Sequence, residues 1–481
     1  MRPPQLTVIG AGASGMFAAI TAARLGCKVR ILEATRQPMK KILKSGGGRC
    51  NVMHKCLETP RDLTLNYPRG RKELIGPYTT RFTQQETWDW FENIGVELKV
   101  EDDGRVFPIT DSSETVATAL RNAAEAAGVV LELGARVIKL EKTDTSSVND
   151  IKDDGNKWKV TVQYKHKEVI EIIATDTVML ATGSSPLGYD LANSIGHTIS
   201  KTMPSLFSFR LKPGHILEGL QGISIADVEL VLLSSSPGSS LTAASSSSSS
   251  SSSLSTITTA TTTSKQKKKK KKKKKKKNIQ PQRGPLLITH RGISGPAALR
   301  LSSFAAADLR DISYQGELQL NCLPNMSLED IRGTLITFHH NNGNKLVNGG
   351  TNSMYPFMNQ IPRRLWGALV DQITTPNKMR CRWNELNKKE LINLSELLVK
   401  IILPFKGKDT NKEEFVTAGG VDLKEIDLKR CESKKHKDLY FGGEVLNIDG
   451  VTGGFNFQSC WTTGFIVGEA VNTIDREMVK C

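Results

Sequence analysis

No run of apolar residues in this 481-residue chain approaches the roughly 18 needed to cross a bilayer as a helix. The first five residues, Met1-Arg-Pro-Pro-Gln5, lead straight into an apolar segment. That leaves no room for a signal or transit peptide, and a cytoplasmic protein is expected. Metal-type spacing is missing as well. The eight cysteines (Cys27, Cys50, Cys56, Cys322, Cys381, Cys431, Cys460 and Cys481) form no CxxC and no Cys/His pattern. Reduced thiols and no bound metal are the expectation. Net positive charge is modest outside one run: of the net +17, twelve charges come from Lys265 and Lys267 to Lys277. The modest remainder gives little electrostatic ground for nucleic-acid binding, which only the Lys265–Lys277 run suggests. With 38% hydrophobic and 24% charged residues, the rest suits a globular protein of two or three domains.

What the chain does have begins at Leu6-Thr-Val-Ile-Gly10-Ala-Gly12-Ala-Ser-Gly15. Residues 6–9 read as a short buried strand, 14–25 as a helix stopped by Gly26, and 28–33 as the next strand. Gly10, Gly12 and Gly15 therefore fall on a strand-to-helix turn. There the first glycine makes the turn, the second lets a pyrophosphate approach, and the third lets helix and strand pack closely. Glu33, eighteen residues past Gly15, ends the second strand, where a carboxylate takes ribose hydroxyls. A complete βαβ unit with its acid in place indicates a dinucleotide site. It does not distinguish FAD from NAD(P).

The later chain does. Residues 38–51 contain Ser45-Gly-Gly-Gly48-Arg49-Cys50-Asn51, a backbone-rich loop to which Lys41 and Arg49 add positive charge. Residues 52–105 form an excursion holding a Thr-capped helix at 83–94, whose stripe of Trp88, Phe91 and Ile94 reads as core. A helix capped at Asp111 or Ser112 runs to about residue 127. Strands are expected at 129–133, 136–141, 157–164, 169–173 and 177–180, the last ending in Ala181-Thr182-Gly183. An antiparallel meander that returns to a strand ending in Ala-Thr-Gly is the layout of FAD-binding Rossmann domains rather than of a plain NAD dehydrogenase.

From about residue 193 the texture changes to short strand-like segments at 206–211 and 226–233. Residues 234–264 are almost wholly Ser and Thr, and the lysine run follows, so a disordered surface insertion is expected. Order should return at Gly284, with a strand and then Thr289-His290-Arg-Gly292-Ile-Ser294-Gly295-Pro296 opening a helix. The biased tract would then hang from a hairpin. Helices are expected near 328–339, 363–373 and 387–402. His290, His339 and His340 lack an acidic partner at a telling spacing and read as ordinary. Near the end, 415–421 reads as a strand entering a glycine turn. Residues 439–446 form a strand ending in Gly443-Glu444, and Gly453-Gly454-Phe455-Asn456-Phe457-Gln458 leads into a helix reaching about 472. A carboxylate at a strand end, then glycines opening a helix, would place an acid near the ribityl or pyrophosphate and a helix N-terminus near the flavin ring.

Taken together, residues 9–15, 41–51, 289–296, 417–421 and 441–458 resemble the YhiN/BaiN-like flavoproteins, also called aminoacetone-oxidase-like or NAD(P)/FAD-dependent oxidoreductases. The resemblance covers nearly the whole chain. It implies an α/β fold: a Rossmann-type FAD domain with an antiparallel meander, assembled from both chain ends (1–193 and 408–481). An inserted β-barrel-like and helical domain would occupy 194–407, with a disordered tract at 234–277. Carried over by position, FAD contacts would fall on Gly10, Gly12, Ala13, Ser14, Gly15, Glu33, Lys41, Arg49, Cys50 and Asn51. Val137 would hold the adenine through its backbone. Ala181, Thr182, Gly183, Glu444, Gly454, Asn456 and Phe457 would complete the site. Two departures stand out: the Ser/Thr/Lys tract is not a family feature, and Asn447 stands where the family more often has an acid.

The reading is an FAD-dependent oxidoreductase acting on a small-molecule substrate that the residues do not name, with NAD(P)H or the substrate itself as reductant. Residues 184–405 hold no second GxGxxG, so any NAD(P)H would dock without a nicotinamide domain of its own. Three competitors remain. A flavin disulfide reductase would use Cys50 and Cys56, but one residue too many separates them. An RNA-associated or RNA-modifying flavoprotein would use the lysine run. A flavin-binding sensor would show no turnover.

Overall fold

The computed structural model describes residues 2–55, 59–143, 157–165, 169–233, 279–348, 354–374, 381–409 and 416–472. The Ser/Thr/Lys tract, Cys56 and Cys481 lie outside them. The elements that build the site are β1 (Gln5–Ile9), α1 (Ala13–Arg24), β2 (Lys28–Glu33), α2 (Ser113–Ala126), β3 (Val130–Leu133), β4 (Thr177–Leu180), β5 (Leu439–Phe441) and α3 (Phe455–Asn472).

The central sheet has five parallel strands in the order β5-β4-β1-β2-β3, extended beyond β5 by two short antiparallel strands, Glu432–Ser433 and Ile426–Asp427. Every residue of β4 and β5 is buried, as in parallel strands covered on both faces. Register is fixed by Ile9 opposite Leu180 and Leu180 opposite Phe441, so the two chain ends meet in one sheet. Helix α3 lies against α1 at close range. A Cβ at Gly464 would come 2.7 Å from the Ser14 carbonyl oxygen, and one at Gly468 2.5 Å from Thr21 Cβ. Those two small positions, one helical turn apart, let the first and last helices of the fold pack backbone to backbone.

Between β3 and β4 the chain makes the expected meander, Ala135–Lys142, Trp158–Tyr164 and Val169–Thr175, antiparallel in sequence order. The middle of the chain closes a six-stranded barrel, in the order Ser208–Leu211, Gly292–Ser294, Gln282–Thr289, Ser224–Leu233, Gly316–Asn321, Ile401–Asp409. The strands flanking the tract pair antiparallel, Ser224 opposite Leu287 and Leu230 opposite Gln282, as the hairpin reading expects. The helices Leu328–Asn341, Arg363–Ile373 and Lys388–Val399 share one apolar core with the barrel that includes Trp366 and Trp383.

Two expectations need correction. The helix expected to reach residue 402 stops at Val399: Lys400 leaves the helical region (φ −143°), and Ile401 begins the last barrel strand. The apolar run Ile401-Ile-Leu fits either period, and closure of the barrel decides it. Part of the expected glycine loop is a single helical turn, Lys40–Lys44. Residues Val416–Val421 do form a strand, but it pairs with Ile199–Ser205 in a two-stranded sheet of its own. Because the last barrel strand runs to Asp409, we propose domain limits at 193/194 and just after 409 rather than at 407.

Candidate flavin site

The glycines at the start of α1 have separate jobs. Gly10 sits at φ +108° and donates its N–H to the Leu32 carbonyl (2.9 Å). A Cβ there would stand 2.5 Å from the Ala181 carbonyl oxygen, and one at Gly15 would stand 2.0 Å from that of Gly10. Both are glycine because backbone occupies the space. Gly12, the residue before α1, has an ordinary φ of −86°, and a Cβ there would meet nothing closer than 4.0 Å. The space above it is free for a ligand. In the first turn of α1 the Ser14 hydroxyl is buried without a partner against Gly442, and the Thr182 hydroxyl, two residues past β4, is buried without one against Gly188. The free N–H groups at the start of α1, beside the open face of Gly12, suit an anion with acceptor oxygens.

Glu33 is tied to this turn. One carboxylate oxygen accepts the Ala11 N–H (2.9 Å), and the other accepts the N–H and hydroxyl of Thr35 (2.9 and 2.7 Å). A carboxylate has about four acceptor positions, so one is left over after these three bonds. Ala181 donates its N–H to Ile9 (2.9 Å), holding the Ala-Thr-Gly turn level with the first. Gly183 adopts φ +58° beside Glu444, whose carboxylate pairs with Lys41; Lys41 also donates to the Ser184 hydroxyl (3.1 Å). Three distant segments thus meet at one ion pair.

Arg49 lies differently. Its guanidinium binds Asp111 and Glu101 and covers the Phe107 ring at 4.0 Å. Its charge is spent on the small sheet of Met53–His54, Leu98–Val100 and Arg105–Pro108. Cys50 (φ +60°) is fully buried, and burial pushes its thiol up to about 12 against a hydrogen bond from Ser45. Such a thiol packs and is no ready nucleophile. Asn51 reaches the far end of the chain: its side-chain oxygen accepts the Gly454 N–H (3.0 Å), and its NH2 donates to the Met53 and Val106 carbonyls. Gly454 must be glycine, because a Cβ would come 2.3 Å from the Met53 carbonyl carbon. Asn456 clamps the preceding turn, accepting from Gly450 N–H (2.9 Å) and donating to its carbonyl (3.0 Å). Phe457 stacks on Trp461 at 5.6 Å. Val137 is buried in the meander, where a bulge at Ile138 interrupts the ladder.

Sequence reasoning missed a buried polar junction. Asp449, wholly buried, forms a two-pronged ion pair with Arg69. The Ser205 hydroxyl bridges Asp449 (3.0 Å) and the Ser303 hydroxyl (2.9 Å), and Arg69 also donates to the Ser303 carbonyl (3.0 Å). Four residues from four segments share it, and Arg69 stands 380 positions from Asp449, so no local pattern could announce it. His54 was missed too. It follows the Gly-Gly-Gly-Arg-Cys-Asn run by three residues and stacks on Phe455, the first residue of α3, at 4.8 Å.

With this geometry in place, comparison decides the family. The profile described as HI0933-like protein Rossmann domain matches residues 4–470. The chain belongs to the HI0933-like family. Among curated proteins, this HI0933-like chain is 28% identical over 460 residues to ribosomal RNA dihydrouridine synthase of Escherichia coli, covering 95% of each chain. It is 25% identical over 472 residues to 3-dehydro-bile acid delta(4,6)-reductase of Clostridium scindens, covering 97% of this chain and 98% of that one. Among solved structures, a 3-ketosteroid-delta4-(5alpha)-dehydrogenase from Rhodococcus jostii aligns over 98% of this chain and 100% of its own, at 13% identity and a TM-score of 0.47. By class the HI0933-like chain is an FAD-dependent oxidoreductase with a Rossmann-type FAD domain. No helix among the described residues is long and apolar enough to cross a membrane, and no group of His, Cys, Asp and Glu among them could hold a metal.

Proposed function

We propose that this protein is an FAD-dependent reductase that draws electrons from NAD(P)H and saturates a carbon–carbon double bond conjugated to a carbonyl. The observation that carries it is the open face of Gly12 at the start of α1, where a Cβ would meet nothing closer than 4.0 Å, inside a family match spanning 4–470. The bond type is supported by the names of two relatives: a dihydrouridine and a delta(4,6)-reduced ketone are both what remains after such a bond is saturated.

In this reading Gly12, Ala13 and Ser14 bind the pyrophosphate with α1's free N–H groups, while Gly10 and Gly15 hold the turn in shape. Glu33 offers its remaining acceptor position to the adenosine ribose, and Val137 offers its backbone to the adenine. Ala181, Thr182 and Gly183 face the middle of the cofactor. The Lys41–Glu444 pair keeps a carboxylate there without a net charge. Arg49, Cys50 and Asn51 hold the loop against Gly454, and Gly454, Asn456 and Phe457 position the start of α3 beside the ring. Bound FAD supplies hydride transfer, and the chain orients it and excludes water.

The test is anaerobic. The purified protein should be yellow and release FAD, its flavin should bleach with NADPH or NADH, and a cyclic enone or uridine-containing rRNA should restore the colour. Colourless protein, or a flavin reduced by neither nucleotide, would sink the proposal. A second reading, in which the substrate base lies within RNA, is favoured by the rRNA-named relatives of Escherichia coli and Haemophilus influenzae. Deleting residues 234–277 and measuring RNA affinity tests whether the lysine run serves it; unchanged affinity rejects that role. The disulfide-reductase reading draws no support from Cys50, whose thiol is buried, and Cys56 lies outside the described residues.

A further inference from the structure

His54 occupies the second glycine turn in a defined orientation. Its two-residue strand pairs antiparallel with Val106 and Arg105. The ring lies nearly flat on Phe455, with planes 17° apart. A Cβ on Gly104 would come within 2.4 Å of its Cε1, and one on Gly453 within 3.4 Å of its Cδ2. Nε2 would lie 2.8 Å from the same Cβ on Gly104, so the Cε1–Nε2 edge of the ring rests on that turn while Cδ2 points toward Gly453. Nδ1 lies 3.1 Å from the Lys55 carbonyl. A carbonyl can only accept, so Nδ1 carries the hydrogen, and the neutral ring keeps its lone pair on Nε2.

The surroundings are sparsely charged. The turn beneath the ring contributes Asp103 and Arg105, already paired with each other at 2.7 Å. The strand itself adds Lys55, and the Gln84 amide donates to the His54 carbonyl (2.7 Å). From residues 59–80 comes the Tyr67 hydroxyl, bound to the Phe455 carbonyl. Helix α3 has no acidic residue in its first turn. A half-buried base with a free lone pair therefore stands at the positive end of an 18-residue helix.

We propose that His54 takes up the second proton of flavin reduction. The inference rests on the flavin reading above. A bound flavin that gains two electrons and one proton as a hydride would carry one negative charge, which on that reading lies beside the start of α3. Nε2 binds a proton from solvent as that charge appears. No other bond forms or breaks. The protonated ring then screens the anion and makes reduction easier at low pH.

The measurement is the two-electron potential of the FAD-loaded protein against indicator dyes. Each proton taken up contributes a tenfold change per pH unit, about 30 mV for two electrons. Between about pH 7.5 and 8.5 the natural protein should therefore fall by about 60 mV per unit, and His54→Gln by about 30. Equal slopes overturn the proposal. If His54→Gln purifies without flavin, His54→Asn is judged by the same slope. A natural protein that carries no FAD would instead overturn the flavin reading itself, before any slope is measured.

Discussion

The two glycine-rich helix starts of this protein look alike in sequence and are built in opposite ways. At α1 the turn is nearly self-sufficient: Gly10 and Gly15 press on each other, Ala181 closes the gap, and Ser14 keeps a free hydroxyl. At α3 little is left free: Gly454 gives its N–H to Asn51, Asn456 closes on Gly450, and Tyr67 binds the Phe455 carbonyl. The first start leaves open space over Gly12. The second is held in place by residues some 400 positions upstream. A glycine motif alone does not say which kind it is; what decides is whether the polar groups around it are left over or already spent.

The largest expected effect lies beside the second start. Arg69→Met would leave Asp449 buried with no countercharge, and burial already pushes that carboxyl up against Arg69. A loss of about 3–5 kcal/mol is expected in chemical denaturation. A loss below about 1 kcal/mol would mean that α3's entry does not depend on this junction. Next comes a pair of substitutions within the first start. Gly15→Ala collides with the Gly10 carbonyl and should cost the apoprotein several kcal/mol, about as much as a buried strain site does. Gly12→Ala has room and should change apoprotein stability by about 1 kcal/mol or less, while weakening FAD binding at least tenfold. Calorimetry without cofactor and flavin titration separate the two; equal destabilisation would erase the division of labour among these glycines.

Acid should loosen the C-terminal side first. His197 is buried against Phe441 and Ser433, and loss of hydration lowers its pKa to about 4. The unfolded chain thus binds a proton that the folded one does not, so stability falls as pH drops from about 6.5 to about 4 and levels off below. At about 1.4 kcal/mol per unit over about 2.5 units the loss is at most about 3.5 kcal/mol, and His197→Gln should flatten it. Hydrogen exchange at β5 that ignores pH in this window would contradict the assignment. A local effect is expected from Asn51→Ala, about 1–2 kcal/mol from leaving Gly454 N–H unpaired. Seen by exchange at α3's first turn and not at α1's, it would confirm that only the second start leans on remote residues.

Much of the fold could be read in advance because its signals are local. The βαβ unit, the meander, the Ala-Thr-Gly return and the hairpin around the biased tract each show their period within a dozen residues. Where signals were ambiguous the reading slipped: Ile401-Ile-Leu suits helix or strand, and only barrel closure chooses. In the site, Gly10, Gly15 and Glu33 could be found because a turn and a strand end dictate them. Arg49 illustrates the limit. Its charge beside three glycines suggests an anion, yet Asp111 and Glu101 occupy it. Acids 52 and 62 residues away cannot be weighed from spacing.

By itself, then, the sequence determined the dinucleotide turn, the strand periods and the order of the elements, because backbone sterics and apolar periodicity act over a few residues. Only the tertiary structure decided which polar groups remained available. It paired Lys41 with Glu444, buried Asp449 on Arg69, gave Gly454's N–H to Asn51, and left the Ser14 and Thr182 hydroxyls without a partner. Hydrogen bonds and ion pairs are satisfied by whatever lies within about 3 Å, and distance in space, unlike distance along the chain, exists only after folding.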